Sequence, residues 1–219
     1  MSLDRPTRLA ILSRIVQEPR LRRGSCARFG PRPWHNRGGV PPALKKTNLL
    51  APPSDFVGRS HELALVHDCL RRGRLVSVLG PPGAGKTRLA VEYTLRHGSA
   101  FLADAAGGIW LGELAEARTP SEVLGIMARA LELPLGDDHT EDGARARIAA
   151  ALRSRGPTLL VLDNFEQLVP VAVPLVEAWL LEVPELSVLV TSRTRLGISG
   201  ELGIEISGLG LPEAGHEAS

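Results

Sequence analysis

The sequence has few aromatic residues, few cysteines, little net charge and no long apolar run. Aromatic side chains make up 4% of the 219 residues, so Leu, Val, Ile and Ala must fill any core. The two cysteines, Cys26 and Cys69, form no disulfide framework and no metal-site spacing, which predicts reduced thiols in a cytoplasmic protein. Because no run of about 18 apolar residues occurs, we expect no transmembrane helix and no membrane partner. The net charge of +2 does not by itself indicate nucleic acid either.

The chain divides into three zones by composition. Residues 1–53 carry eleven Lys and Arg residues against Asp4 and Glu18, with repeated Gly and Pro, and this composition predicts a disordered tail or linker. A basic arm that binds nucleic acid, with Trp34 stacking on a base, is the alternative, but no motif organises the charges. Residues 54–211 are predicted to form the folded domain. Residues 212–219 are predicted to be a disordered tail.

Short apolar runs alternate with helical patterns through the folded zone. We predict strands at residues 75–79, 109–111, 158–162, 186–190 and 204–206, and helices at residues 86–96, 121–131, 142–155 and 171–181. Ser121 is the expected N-cap of its helix. Alternating strands and helices indicate a parallel sheet, and unbroken apolar strands indicate helices on both of its faces. The sequence therefore predicts an α/β fold of three layers, α/β/α, with a mainly parallel sheet of about five strands.

A phosphate-binding loop joins the first predicted strand to the helix that follows it. Its residues match the pattern G-x-x-x-x-G-K-[ST] at every fixed position: Gly80, Pro81, Pro82, Gly83, Ala84, Gly85, Lys86 and Thr87, with Arg88 next in the helix. The glycines allow a tight loop whose amides face an anion at the helix N-terminus. We expect Lys86 to contact the β- and γ-phosphates of ATP and the Thr87 hydroxyl to bind Mg²⁺.

Two acidic residues follow the predicted strand at residues 158–162. Asp163 comes directly after that strand, at the edge where open α/β sheets bind ligands, so its carboxylate is expected to hold Mg²⁺ as a Walker B aspartate does. The next residue, Asn164, cannot accept a proton as a second carboxylate would. Glu166 is a candidate for orienting the attacking water, and a surface glutamate at a helix start is an equally good interpretation. The sequence therefore predicts ATP binding and leaves hydrolysis open.

An arginine stands close behind the strand predicted at residues 186–190. Arg193 follows Thr191 and Ser192, and a guanidinium at this edge of the sheet can reach the γ-phosphate. We expect Arg193 to sense that phosphate, with Arg195 the less favoured neighbour and a solvated charge the alternative.

These motifs resemble the NB-ARC-like branch of the STAND class of P-loop NTPases, which includes ATPase modules of bacterial multidomain transcriptional regulators. The resemblance runs from about Asp55 to Pro212 and is carried by the phosphate loop and by these residues: Phe56, Val57, Gly58, Arg59, Glu62, Val161 to Glu166, Val190 to Arg193, Gly200 and Glu201. It implies a P-loop NTPase fold whose five-stranded parallel sheet has the P-loop strand at its centre. It also implies that residues 56–59 lie near adenine, that residues 80–88 bind phosphate, that Thr87 and Asp163 serve Mg²⁺, and that Arg193 contacts the γ-phosphate.

The sequence departs from that family at its end. Members continue into a helical subdomain and a winged helix, whereas this sequence stops soon after the last predicted strand. The resemblance thus implies a nucleotide-binding domain truncated after its last strand, with a protein partner or missing regulatory domains beside the nucleotide.

Three functions fit these features. The first is a slow nucleotide-dependent switch that holds ATP or ADP with Mg²⁺ and hydrolyses ATP weakly, with Lys86, Asp163, Glu166 and Arg193 as its catalytic residues. The second is a scaffold that binds nucleotide without hydrolysis, which Asn164 favours. The third is an AAA+-type motor, which the missing second acid at position 164 disfavours. We do not expect this chain to bind nucleic acid directly.

Overall fold

The computed structural model describes residues 47–50, 52, 56–102, 107–134 and 140–208. Most of the first predicted zone and all of residues 212–219 lie outside the described residues, as do Asp55, Cys26 and Trp34. In chain order the elements are α1 (Ser60–Arg72), β1 (Leu75–Leu79), α2 (Lys86–His97), α3 (Ser99–Leu102), β2 (Gly108–Glu113), α4 (Pro120–Ala130), α5 (Glu141–Arg155), β3 (Thr158–Asp163), a 3₁₀ turn (Phe165–Gln167), α6 (Val169–Glu182), β4 (Leu186–Ser192) and β5 (Glu201–Glu205).

The five strands form one sheet in the order β2-β3-β4-β1-β5, and every neighbouring pair is parallel. This confirms the predicted parallel sheet of about five strands. The P-loop strand β1 is interior, between β4 and β5, but the middle position belongs to β4. The expectation of a central P-loop strand was therefore wrong by one place, because β5 alone lies beyond β1.

Helices cover both faces of the sheet. The side chains of β3 alternate between two hydrophobic clusters, with Leu160 and Leu162 in one and Leu159 and Val161 in the other. The first cluster also takes residues of α4, α5 and α6, and the second takes residues of α1 and α2. Because the side chains on both faces of β3 are apolar, the strand has no polar face, as expected for a sheet between two helix layers. The predicted three-layer α/β/α fold is confirmed.

The helices differ from the sequence prediction in α1 and α3, which were not predicted, and in α4, α5 and α6, which begin one or two residues before their predicted starts. No helix was predicted at Ser60–Arg72, although Leu63, Val66 and Leu70 stand at the i, i+3, i+7 spacing of an amphipathic helix and pack on the second cluster. Helix α4 begins one residue before the predicted start, and its N-cap is Thr119 rather than Ser121. The Thr119 hydroxyl accepts from the Glu122 amide, and the Glu122 carboxylate accepts from the Thr119 amide, so the two residues form a capping box.

Residues 47–50 lie against the edge strand β2. Thr47 forms a parallel bridge with Ile109, and Leu49 is buried among the side chains of the second cluster. The side-chain amide of Asn48 bonds both to the Leu111 carbonyl and to the Leu111 amide, each at 2.8 Å. These bonds satisfy backbone groups that an edge strand would otherwise leave open. Among the described residues, Thr47 to Leu49 thus contact the sheet or its core, although they precede the folded zone predicted at residues 54–211.

No helix in the described part of the chain combines the length and apolar character needed to cross a membrane.

The guanidinium of Arg74 caps the carboxyl end of α6. Its Nη1 donates to the carbonyls of Leu180 at 2.8 Å and Val183 at 3.1 Å. These carbonyls belong to the last turn and cap of α6, where helix carbonyls lack partners within the helix. A positive charge at this end also interacts favourably with the negative end of the helix dipole. Arg74, the residue before β1, is thus connected to α6, which lies on the face of the sheet away from α2.

Replacing Arg74 with alanine should lower the free energy of unfolding by about 1–3 kcal/mol, because carbonyls at the end of α6 lose a charged donor. Urea denaturation of Arg74→Ala and of the exposed control Arg72→Ala would measure the difference. Equal losses in the two variants would contradict the capping role.

Candidate functional site

The phosphate loop follows β1 and ends where α2 begins. Gly83 and Gly85 have φ angles of 75° and 82°, in the left-handed region that side chains with a Cβ rarely adopt. Gly85 is the N-cap of α2, so the first amides of the helix lie at the end of the loop. Pro81, Pro82 and Gly83 are exposed, which leaves the crest of the loop open to a ligand.

The first glycine of the loop is required by the neighbouring backbone. The Ile206 amide donates to the Leu79 carbonyl at 2.7 Å, so the chain after β5 runs beside the start of the loop. A Cβ on Gly80 would lie 2.3 Å from the Ile206 carbonyl oxygen. Close packing against Ile206 thus accounts for glycine at position 80, in addition to any approach of phosphate.

Lys86 folds back over its own loop. Its Nζ donates to the Gly80 carbonyl at 2.9 Å and to the Pro81 carbonyl at 3.0 Å, and only 7% of the residue is exposed. The ammonium group is therefore held inside the loop by two neutral acceptors. Phosphate oxygens carry negative charge and would bind the same group more strongly than carbonyls do.

Asp163 ends β3 and connects three elements of the site. Its Oδ1 accepts hydrogen bonds from the hydroxyls of Thr87, at 2.7 Å, and of Thr191. Its Oδ2 accepts from the Asn164 side-chain amide at 3.0 Å. Asp163 as a whole is 4% exposed, and these three donors are neutral. A buried carboxylate with neutral partners, beside a threonine hydroxyl, offers the oxygen ligands that Mg²⁺ prefers.

Thr191 is a site residue that sequence reasoning did not single out. It lies in β4 and is fully buried, and besides donating to Asp163 its hydroxyl accepts from the Asn164 amide at 3.0 Å. The signal for it is the strand register: Leu162 pairs with Val190, so the residues that follow each of them are neighbours.

Asn164 has a structural role of its own. Its φ and ψ angles are 60° and 48°, a left-handed conformation that asparagine tolerates better than most residues. The turn directs its side-chain amide onto Asp163. Asparagine at this position therefore orients the carboxylate, which the sequence interpretation, concerned with proton transfer, did not consider.

Glu166 and Arg193 are brought together. The Nε of Arg193 lies 3.1 Å from Oε1 of Glu166, and the side chains are 50% and 15% exposed. Ser192, the residue before Arg193, pairs in register with Leu79, which precedes the phosphate loop. Arg195 lies elsewhere: its guanidinium covers Gly203 on β5, where an added Cβ would meet Cζ at 2.6 Å.

Residues 56–59 lead into α1, and their side chains contact α2 and the segment after β5. The Arg59 guanidinium donates to the Ser207 carbonyl at 2.7 Å and lies 3.8 Å from a Glu62 oxygen. Because Ser207 follows Ile206, Arg59 reaches the same backbone segment that packs against Gly80. The cationic groups of Arg88 and Arg96 lie 5.8 and 5.5 Å from the centre of the Phe56 ring. Val57 and Gly58 are exposed.

A family model described as an AAA domain matches residues 70–199. An uncharacterized protein of Mycobacterium tuberculosis (strain ATCC 25618 / H37Rv) is 32% identical over 158 residues, which cover 72% of this chain and 38% of that protein. A second protein of the same strain, whose name describes an HTH-type transcriptional regulator, is 30% identical over 148 residues, covering 68% of this chain and 16% of the regulator. The chain therefore spans well under half the length of these relatives.

Solved structures share the fold. Cdc6p from Pyrobaculum aerophilum and the ORC1 protein of Aeropyrum pernix, the latter in complex with DNA, both superpose with a TM-score of 0.53. Their sequence identities to this chain are 17% and 22%, and each alignment covers 69% of this chain and 46% of the other.

The substitution Thr191→Val should destabilise the domain by about 1–3 kcal/mol, because it leaves the partly buried backbone amide of Asn164 without its acceptor and removes one donor from Asp163. Denaturant unfolding would measure the loss. The matched control is Thr94→Val, which removes a buried hydroxyl that bonds to the Val91 carbonyl within α2. Thr191→Ser, which keeps the hydroxyl, should recover much of the stability. A Thr191→Val variant as stable as the Thr94→Val control would contradict the role given to the hydroxyl.

Proposed function

The chain belongs to the AAA domain family of P-loop NTPases, and from that premise we propose that it binds ATP or ADP with Mg²⁺ and acts as a slow nucleotide-dependent switch. The observation that carries this proposal is the 2.7 Å hydrogen bond between the Thr87 hydroxyl and Asp163. It joins the residue after Lys86 to the end of β3, so the three residues on which P-loop chemistry depends lie side by side.

The loop and helix α2 would hold the phosphates. Loop amides and the first amides of α2 supply donors at the positive end of the helix dipole. Lys86 would exchange the carbonyls of Gly80 and Pro81 for phosphate oxygens. This exchange replaces neutral acceptors by charged ones, which strengthens each hydrogen bond.

The donor set suits Mg²⁺. A hydroxyl and a carboxylate are hard oxygen ligands, and the bond between Thr87 and Asp163 brings them to one point. When bound, Mg²⁺ would neutralise charge on the phosphate oxygens. Thr191 and Asn164 would keep the Asp163 carboxylate oriented through the hydrogen bonds that they donate to it.

Slow turnover follows from the groups beside Asp163. Asn164 cannot accept a proton, and its side-chain amide is engaged by the carboxylate. Glu166, the remaining candidate for orienting a water molecule, is paired with Arg193 and can act only when that pair opens, and it lies three residues beyond Asp163 rather than directly after it. We therefore expect turnover well below the enzyme median of about 10 s⁻¹.

A regulatory role is the finer part of the proposal. The relative whose name describes an HTH-type transcriptional regulator supports a regulatory role, and the NB-ARC-like, STAND assignment rests on the sequence motifs. The domains or proteins that the module controls are the proposed partners, in a cytoplasmic setting. One structural relative was solved with DNA, but the donors around the loop suit phosphate and the Thr87 and Asp163 oxygens suit Mg²⁺, so we do not propose DNA binding.

A nucleotide-binding scaffold without hydrolysis is the alternative that a specific observation favours. The ion pair between Glu166 and Arg193 leaves neither side chain available for catalysis as it stands. Phosphate release from ATP separates the two functions, since a scaffold would release none above the background rate. An AAA+-type motor would instead assemble with ATP, which sedimentation velocity would detect.

Asp163→Asn should abolish Mg²⁺-dependent phosphate release and remove most of the gain in ATP affinity that Mg²⁺ provides, because the neutral amide is a poor ligand for the metal. Binding of ADP without Mg²⁺ should change little. Titration calorimetry with and without Mg²⁺, together with a phosphate-release assay, would measure both effects. The control is Asp142→Asn at an exposed position on α5. If Mg²⁺ promotes ATP binding equally in wild type and Asp163→Asn, the proposed metal site is wrong.

A further inference from the structure

The ion pair between Glu166 and Arg193 connects two segments distant in sequence. Glu166 lies in the 3₁₀ turn after β3, and Arg193 follows β4. Their contact is a hydrogen bond from Arg193 Nε to Glu166 Oε1 at 3.1 Å. A partly exposed pair of this kind contributes little to stability, because solvent screens it and two long side chains must be held in place.

The pair leaves one oxygen of Glu166 unsatisfied. Oε2 is buried, and no hydrogen-bond partner for it occurs among the residues that the structure describes. The Glu166 side chain is 15% exposed, so water has limited access to it, whereas Arg193 is half exposed. The arginine is thus free to turn, while the glutamate stays in place with an unmet acceptor.

Strand register places Arg193 beside the phosphate loop. Leu79 pairs with Ser192, so Gly80 and Arg193 are the next residues on adjacent parallel strands. Neighbouring strands run about 4.8 Å apart. An arginine side chain that begins there can therefore form an ion pair either with Glu166 or with an anion bound to the loop.

We propose that Glu166 and the terminal phosphate of ATP compete for Arg193, so that Glu166 sets the preference of the site for ATP over ADP. This inference rests on the proposed nucleotide-binding function and deepens it. With ADP, Arg193 stays paired with Glu166. With ATP, Arg193 pairs with the γ-phosphate, because the γ-phosphate carries more negative charge than a carboxylate. Glu166 then loses its partner, and both of its oxygens can accept hydrogen bonds from water.

The competition has a measurable consequence. ATP binding must break the Glu166–Arg193 pair, and ADP binding need not. Because a partly exposed pair contributes no more than about fivefold to an equilibrium constant, removing the Glu166 charge should raise ATP affinity about three- to fivefold. Affinity for ADP should stay within about twofold.

The experiment is a double-mutant cycle on the whole chain. Affinities for ADP and for the β,γ-imido analogue of ATP, both with Mg²⁺, would be measured by titration calorimetry for wild type, Glu166→Gln, Arg193→Ala and the double variant. Glu166→Gln should bind the ATP analogue more tightly and ADP equally. Arg193→Ala should bind the analogue about tenfold or more weakly with ADP little changed, and in that background Glu166→Gln should have no further effect. Glu166→Ala serves as a second variant, since glutamine keeps an acceptor for Arg193.

Two controls separate this competition from other causes. Glu177→Gln on α6 makes the same change of net charge at an exposed position, and Arg195→Ala removes a neighbouring arginine outside the pair. Neither should alter the ratio of the two affinities. An unchanged ratio in Glu166→Gln and Glu166→Ala, or equal weakening of both ligands with lower thermal stability, would show a purely structural ion pair and overturn the inference. Failure of the wild type to bind either nucleotide would instead overturn the proposed function.

Discussion

The buried carboxylate of Asp163 is the constraint on which the site depends. Burying a charge is costly unless hydrogen bonds compensate it, and here the donors come from the start of α2, from β4 and from the turn after β3. The carboxylate therefore fixes the phosphate-loop helix to the middle of the sheet. The same bonds orient its oxygens toward the Thr87 hydroxyl, so one set of contacts serves both folding and the proposed binding of Mg²⁺.

A second connection joins the two ends of the proposed nucleotide site. The segment after β5 bonds to Leu79 through Ile206 and to Arg59 through Ser207. Gly80 lacks a side chain where Ile206 passes, which lets the backbone of the two segments approach closely. The residues expected near adenine and the residues expected near phosphate are thus held in relation to each other by this short stretch of backbone, which the Arg59 guanidinium contacts on one side and the Leu79 carbonyl on the other.

Local sequence patterns were sufficient for the sheet, the phosphate loop and Asp163. Each depends on neighbours in the chain: apolar runs for the strands, glycines at fixed spacing for the loop, and a polar residue directly after a strand. The pairing of Glu166 with Arg193, the bridging hydroxyl of Thr191 and the amide of Asn48 on β2 depend instead on which strands are adjacent and in what register. No local pattern encodes that register. Helix α1, by contrast, carries a local signal that the prediction overlooked, because Leu63, Val66 and Leu70 have the spacing of an amphipathic helix.

The central claim is that the loop at residues 80–87 binds nucleotide phosphate through Lys86. Titration calorimetry with ATP on wild type and Lys86→Ala tests it most directly, with thermal unfolding as the check that the variant keeps its fold. The account predicts that ATP affinity falls by about 1.5–3 kcal/mol, the contribution of a charge-assisted hydrogen bond, while the variant still unfolds cooperatively. Equal affinities for ATP in the two proteins would contradict it.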